Sequence, residues 1–372
     1  MEQKKIKKVL AVICTYNPED RNYNQSFEDF SFIWFDVIRG WQKQRDENLE
    51  VDIVVADDIS GPKTRKKLIE FQQKTKDFYI DFIDKWFSCP FVCFNHAVSL
   101  LKKNDYDYYA YCASDAVLVN KGDLATLIND MDERCCIISP QADNDMAQPF
   151  DFNPKKPPTK MRLGEGINCH LYLFTREFMQ AYDYKMVDII GSGSSESFYT
   201  FLAAAIGRHI LLSHRVCIHH AGMVDRKPGN PLIMPEYKRD FFKMLKEGTK
   251  IGLGYEEYLG TPSFFLKQCL SAPTPYKFLR RFTKMVVRFC LHNLGLRNIF
   301  KFRNLDQRNK FLKKIFGDLG PFAGEPYFHN PKCFDENGYA KLDQLYHFIK
   351  NNLFLTKEEL DYEKIPFKFI KP

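Results

Sequence analysis

Val9-Leu10-Ala11-Val12-Ile13-Cys14-Thr15-Tyr16-Asn17-Pro18 is a run of six apolar residues that ends in a polar turn. Such a run, closed by Asn-Pro, reads as a strand from Lys8 to Cys14 with both faces buried. Phe27 to Gln44 then carries Phe30, Ile33, Trp34, Val37, Ile38 and Trp41 at the spacing of one helical face. Val51 to Ala56 repeats the strand pattern and runs into Asp57-Asp58-Ile59-Ser60-Gly61. Strand, helix, strand, with a polar loop after each strand, is the repeating unit of a parallel sheet with right-handed crossovers. This stretch decides for an α/β fold.

The same alternation continues outward. Thr64 to Thr75 and Asn95 to Lys103 read as helices, Phe78 to Ile83 and Tyr108 to Cys112 as strands, the latter stopping at Ala113-Ser114-Asp115. Cys135 to Pro140 and Leu171 to Phe174 are further strands, and a helix starts at Arg176. A Gly/Ser loop at Gly191 to Ser195 precedes a helix from Glu196 to Ile206 and a strand from Ile210 to Ile218. After Pro228-Gly229-Asn230-Pro231 the pattern turns to basic, aromatic-rich helical segments without clear strands. Residues 1–230 are therefore expected to form the α/β domain and 231–372 a mainly helical, basic C-terminal region.

Composition narrows the class. With 45% hydrophobic and 15% aromatic residues in 372, the chain is too apolar to be disordered. No apolar run approaches eighteen residues, and Val9 to Cys14 is too short for a signal-peptide core, so neither export nor a transmembrane helix is expected. The 11 cysteines are odd in number, include the adjacent Cys135 and Cys136, and form no Cys-x-x-Cys pair. They read as reduced thiols of a cytoplasmic protein rather than as disulfides or a zinc site. The net charge of +7 is concentrated: Lys277 to Ile315 holds twelve Lys or Arg against one acid, Asp306. Beside the apolar stripe Phe278, Phe282, Met285, Val286 and Phe289, that segment fits an amphipathic helix at an anionic membrane surface, or one packed on its own domain.

The first strand ends without Gly-x-Gly-x-x-Gly, and no Gly-x-x-x-x-Gly-Lys-Ser/Thr occurs, which removes the main support for dinucleotide dehydrogenases and P-loop enzymes. In an open α/β sheet the ligand lies at the carboxyl ends of the strands, where the loops at Thr15, Asp57 and Ser114 should converge. The pairing of a strand ending in Thr15-Tyr16-Asn17 with one ending in Asp57-Asp58-Ile59-Ser60 resembles the opening of a family-2-type glycosyltransferase of the GT-A fold, which typically reads Asp-Asp-Gly-Ser at the second site. The resemblance covers about residues 8 to 222. It implies a mixed sheet flanked by helices, a nucleotide-sugar donor (a UDP- or GDP-sugar) and a hydroxyl acceptor on a glycan or lipid carrier. Thr15, Tyr16, Asn17, Asp57, Asp58 and Ser114 become the candidate nucleotide contacts, with Asp58 accepting from the base or ribose.

The resemblance also implies a divalent cation, Mn²⁺ or Mg²⁺, on the leaving diphosphate. The family's Asp-x-Asp is reduced here to Ala113-Ser114-Asp115, which leaves Asp115 as the carboxylate ligand. Glu196, Gly207 and His220 reproduce the family's intervals of eleven and thirteen residues, which places Glu196 where the catalytic base lies and His220 where a metal-binding His lies. His170, Arg226 and Lys227 are weaker candidates for the acceptor or the diphosphate. The implied reaction is inverting sugar transfer in cell-surface glycan or glycolipid synthesis, by a cytoplasmic protein peripheral to the inner face of a membrane. Ala113 leaves open a catalytically weakened binding or scaffold protein. The basic segment alone would suit nucleic acid, but no helix-turn-helix, zinc knuckle or aromatic-basic sheet motif accompanies it, so no nucleic-acid partner is expected.

Overall fold

The computed structural model describes residues 6–20, 33–85, 90–101, 105–143, 152–161, 170–187, 199–221, 275–276, 278–279, 282–283, 286, 346–347, 350–351 and 354–372. Strand β1 (Lys7–Thr15) leads through helix α1 (Ile33–Gln42) to β2 (Leu49–Asp58), and α2 (Pro62–Thr75) leads to β3 (Tyr79–Ile83). Helix α3 (Pro90–Leu101), β4 (Tyr108–Ala113), β5 (Ala116–Leu118) and α4 (Asp123–Asp130) follow, then β6 (Cys135–Ala142) and β7 (Thr159–Lys160). The remaining elements are β8 (Leu171–Thr175), α5 (Arg176–Ala181), α6 (Tyr199–Ala205), β9 (His209–His220), a 3-10 turn at Tyr362–Lys364 and β10 (Phe367–Ile370).

All ten strands form one mixed sheet in the order β10-β3-β2-β1-β4-β8-β6-β9-β5, with β7 paired to β9. The central strands β3, β2, β1 and β4 are parallel. The strands that flank these four differ: β8 runs antiparallel to β4, and β10, at the sheet's edge, antiparallel to β3. The α/β sheet flanked by helices expected from the sequence is present.

The apolar run of β1 has no gaps because both faces of the strand are covered. Leu10, Val12 and Cys14 enter a core with α3, α5, α6 and the C-terminal tail, while Val9, Ala11 and Ile13 enter a second core with α1, α4 and Leu68 of α2. Each fully buried aliphatic side chain in these layers contributes about 1.5–3 kcal/mol. Gly40 marks the closest approach of α1 to the sheet: a Cβ there would lie 2.7 Å from the Leu118 carbonyl oxygen.

The structure extends several of the expected elements. Helix α3 begins at Pro90, where the fixed φ of proline suits a first turn and its missing N–H is no loss. Strand β9 runs on to His220, two residues past the expected end. A further finding concerns the C-terminal residues. Residues 354–372 return to the first domain as the 3-10 turn and β10, with Phe354, Leu355, Leu360, Tyr362 and Ile365 in the same core as β1. A boundary near 230 does not separate them from the sheet.

Candidate functional site at the carboxyl edge of the sheet

Strand register brings the polar loops together. Thr15 lies beside Asp57, Cys14 beside Ala113 and Asp58 beside Ile83, so the parallel strands β1 to β4 all end at one edge. This is the edge at which open α/β sheets bind ligands.

Within it, Asp57 and Asn17 hold the protein together. The Asp57 carboxylate is fully buried. It accepts from the Thr15 hydroxyl (3.1 Å), the Ser60 backbone N–H (3.1 Å) and Arg65 Nε (3.1 Å). Burial raises its pKa, opposed by the hydrogen bonds from Ser60 and Thr15 and the charge of Arg65. The Asn17 side-chain amide donates to the Thr64 hydroxyl (2.8 Å), while its backbone N–H donates to the Ser60 hydroxyl (2.9 Å) and its carbonyl accepts from Gly61 N–H (2.9 Å). Asp57 and Asn17, expected to touch a nucleotide, thus shape the two loops that would surround one. Asp58, 5% exposed, follows at the tip of β2, and Tyr16 is half-buried in the opposite loop.

Ile59, the next residue, has φ of 55°. In this left-handed region a β-branched side chain is strained and glycine is not. A glycine at this position would adopt the turn without that strain.

The second half of the site lies just past the end of β4, where β5 meets the end of β9. Short strand β5 pairs antiparallel with the end of β9, Ala116 beside His220, and the Ala221 N–H donates to the Asp115 carbonyl (2.9 Å). His220 Nε2 thereby stands 3.3 Å from Asp115 Oδ2. The His170 ring stacks on His220 with 3.6 Å between centroids, held there because the His170 carbonyl accepts from Ala113 N–H (2.8 Å). Burial and the His220 ring together bring the His170 pKa down to about 3, so His170 is neutral at physiological pH. Ser114, 7% exposed, sits between Ala113 and Asp115.

A carboxylate oxygen and an imidazole nitrogen side by side are a donor pair suited to Mn²⁺ or Mg²⁺ once diphosphate and water oxygens complete the shell. Among the described residues no group of three or more His, Cys, Asp or Glu side chains forms a metal cage by itself. The residues fit a cation shared with a ligand.

Residue Asp143, beyond the end of β6, went unread in the sequence. It accepts from the His220 backbone N–H (2.9 Å), and its other oxygen lies 2.7 Å from His219 Nδ1. It fixes the end of β9 and so the aim of His220. Gly207, with φ of 71°, terminates α6, its N–H donating to the Ala204 carbonyl (2.9 Å). Glu196, Arg226 and Lys227 lie outside the described residues. Among the described residues no cysteine is in a disulfide, and burial pushes the Cys112 and Cys217 thiols up to about 12, away from the reactive thiolate.

No protein-family model matches the chain, and no curated protein matches it in sequence. Solved structures resemble it at low identity. TarS 1-349 from S. aureus in complex with UDP-GlcNAc is 14% identical over 83% of this chain and 81% of its own, with a TM-score of 0.46. The mannosyltransferase PcManGT from Pyrobaculum calidifontis, in complex with GDP-Man and Mn²⁺, is 10% identical over 85% of this chain and 76% of its own, with a TM-score of 0.43. At that level of likeness, identity of activity does not follow.

Proposed function

We propose that the protein is a glycosyltransferase that moves a sugar from a UDP- or GDP-sugar to a hydroxyl of a glycan or lipid-linked acceptor, with inversion at the anomeric carbon. The observation that carries this reading is the juxtaposition of Asp115 and His220, 3.3 Å apart, at the sheet edge that also carries the Asp58 loop. One half of that edge suits a nucleoside and the other its diphosphate. A cation held by Asp115 and His220 would supply charge neutralisation on the departing nucleoside diphosphate.

The protein's own groups account for the rest. Asp58 accepts a hydrogen bond from the base or ribose, in a loop fixed by Asp57, Ser60 and Asn17. Neutral His170 supports the His220 ring from one face without adding charge. Glu196 takes the proton of the acceptor hydroxyl as its oxygen attacks the anomeric carbon from the side opposite the diphosphate. The C1–O bond to the diphosphate breaks as the new glycosidic bond forms, so no covalent enzyme intermediate arises. Arg226 and Lys227 are the candidate cations for the diphosphate. Synthesis of cell-surface glycan or glycolipid on the cytoplasmic side is the setting in which such a donor and acceptor meet.

The test is a panel of nucleotide sugars assayed by thermal shift and by donor turnover, with and without Mn²⁺. A stabilising donor whose effect needs Mn²⁺, and loses that need in Asp115→Ala and His220→Ala, supports the reading. Glu196→Gln should keep donor affinity and cut turnover by about 10²-fold or more. Donor binding without turnover in the native chain would convert the reading to a binding protein of the same fold. No stabilisation by any donor would overturn it.

A further inference from the structure

We propose that Tyr276, Phe278, Leu279, Phe282 and Val286 form a docking face for an anionic lipid surface. These positions are helical, and the five side chains are, in that order, 73%, 37%, 61%, 41% and 40% exposed. Five of the eight exposed large hydrophobic side chains among the described residues fall between Tyr276 and Val286, so the exposure is a cluster and not the ordinary scatter of single apolar residues. Positions 276, 279, 282 and 286 recur at helical spacing. The Phe278 and Phe282 rings stack on each other, 6.1 Å between centroids and 9° between planes, and both remain exposed.

Charge identifies the occupant. Lys277, Arg280, Arg281, Lys284 and Arg288 are interleaved with the apolar residues, and from Lys277 to Ile315 the segment holds twelve cations and one acid. Apolar side chains that enter the headgroup boundary beside cations that meet anionic headgroups are the two components of an in-plane amphipathic helix. A nucleic acid would use the cations and the aromatic rings, but Leu279 and Val286 offer a base nothing to stack on. An acidic protein partner is the remaining competitor, and neutral as against anionic vesicles separate it from lipid. Among the described residues no helix is long and apolar enough to cross a membrane, so attachment would be in the plane.

Flotation of the full chain with vesicles of phosphatidylcholine alone, and of phosphatidylcholine with phosphatidylglycerol, each at low and high salt, tests this. The chain should float with the anionic vesicles at low salt, float less at high salt, and stay behind with neutral ones. Leu279→Glu with Phe282→Glu, and separately Arg280→Glu with Arg281→Glu, should each reduce the bound fraction by about tenfold or more. Thermal unfolding of each variant, matched to the parent, shows that the loss is not a loss of fold. The proposal is overturned if the parent remains soluble with anionic vesicles at low salt, or if both variants float as it does.

Discussion

Asp57 and Asp58 are adjacent buried carboxylates with different employment, and the difference lies in the bonds that Asp57 makes within the protein. Asp57 is fully covered and bonded to Thr15, Ser60 and Arg65, whereas Asp58, also buried, is the last residue of β2 at the sheet edge. Asp57→Asn should therefore lower stability by about 2 kcal/mol, below the range for breaking a fully buried ion pair because Arg65 is 25% exposed and keeps Asp84 at 2.7 Å. Asp58→Asn should leave the urea midpoint in place and weaken donor binding about tenfold, the scale of one charge-assisted hydrogen bond. Equal effects of the two on stability would show that both are structural. Ile59 gives a test of opposite sign. Its φ of 55° costs a β-branched residue about 1–2 kcal/mol, so Ile59→Gly should raise the urea midpoint although it removes a half-buried side chain. A lower midpoint would mean that the packing of Ile59 outweighs its strain. The adjacent carboxylates were legible in the sequence because two acids at a strand end are conspicuous. Which of them would be bonded into the protein was not, because its partners Thr15 and Arg65 come from other elements.

At the scale of elements, the central strands and helices were legible because each carries its pattern: β1 as an unbroken apolar run from Val9 to Cys14, β2 as the apolar Ile53 to Ala56 ahead of two acids, α1 as a stripe of Ile33, Trp34, Val37, Ile38 and Trp41. Strand β10 was not, since Phe367-Lys368-Phe369-Ile370 is four residues long and pairs with β3, nearly three hundred positions away. The device that ties it in is Asn95 of α3. Its Oδ1 accepts from Met186 N–H (2.7 Å), and its Nδ2 donates to the Met186 carbonyl (2.9 Å) and the Tyr362 hydroxyl (3.0 Å). One buried amide thus joins a central helix, the C-terminal tail and the chain just ahead of the segment that carries Glu196. Asn95→Ala would leave two backbone groups of Met186 buried without that partner and should cost about 3 kcal/mol. Tyr362→Phe keeps the ring and should cost about 1 kcal/mol. If Met186 carries the geometry onward, Asn95→Ala also lowers kcat more than it raises the donor KM. A variant with the parent's urea midpoint would show the clamp to be dispensable.

Across the whole molecule, the sheet takes β1 near its middle from the start of the sequence and β10 at its edge from the last residues. A division at 230 follows from the change of composition there, since basic aromatic helices replace alternating strands. Composition does not reveal that the last nineteen residues cross back to cover the edge of β3 and one face of α3. The tail supplies Phe354, Leu355, Leu360, Tyr362 and Ile365 to the core shared with β1, β2 and β4. At about 1.5–3 kcal/mol each, those five side chains represent on the order of 10 kcal/mol of gross burial, as large as the net stability of an ordinary domain. Backbone closure adds to it: the Asp84 N–H donates to the Pro366 carbonyl (2.9 Å), Gln72 Nε2 to the Lys371 carbonyl (2.8 Å) and Lys185 Nζ to the Leu355 carbonyl (3.0 Å). Without the tail, β3 becomes an open edge strand flanked by uncovered apolar surface, a template for pairing with other chains. A fragment ending at residue 230 should therefore show a broad, low urea transition and aggregate on concentration, although it contains every candidate catalytic residue. A synthetic peptide of residues 354–372 added in trans should sharpen and raise that transition, while a peptide with Tyr362→Ala and Ile365→Ala should do so far less. A fragment that unfolds cooperatively at the full chain's midpoint, indifferent to the peptide, would mean that the first domain is complete without its C-terminal strand.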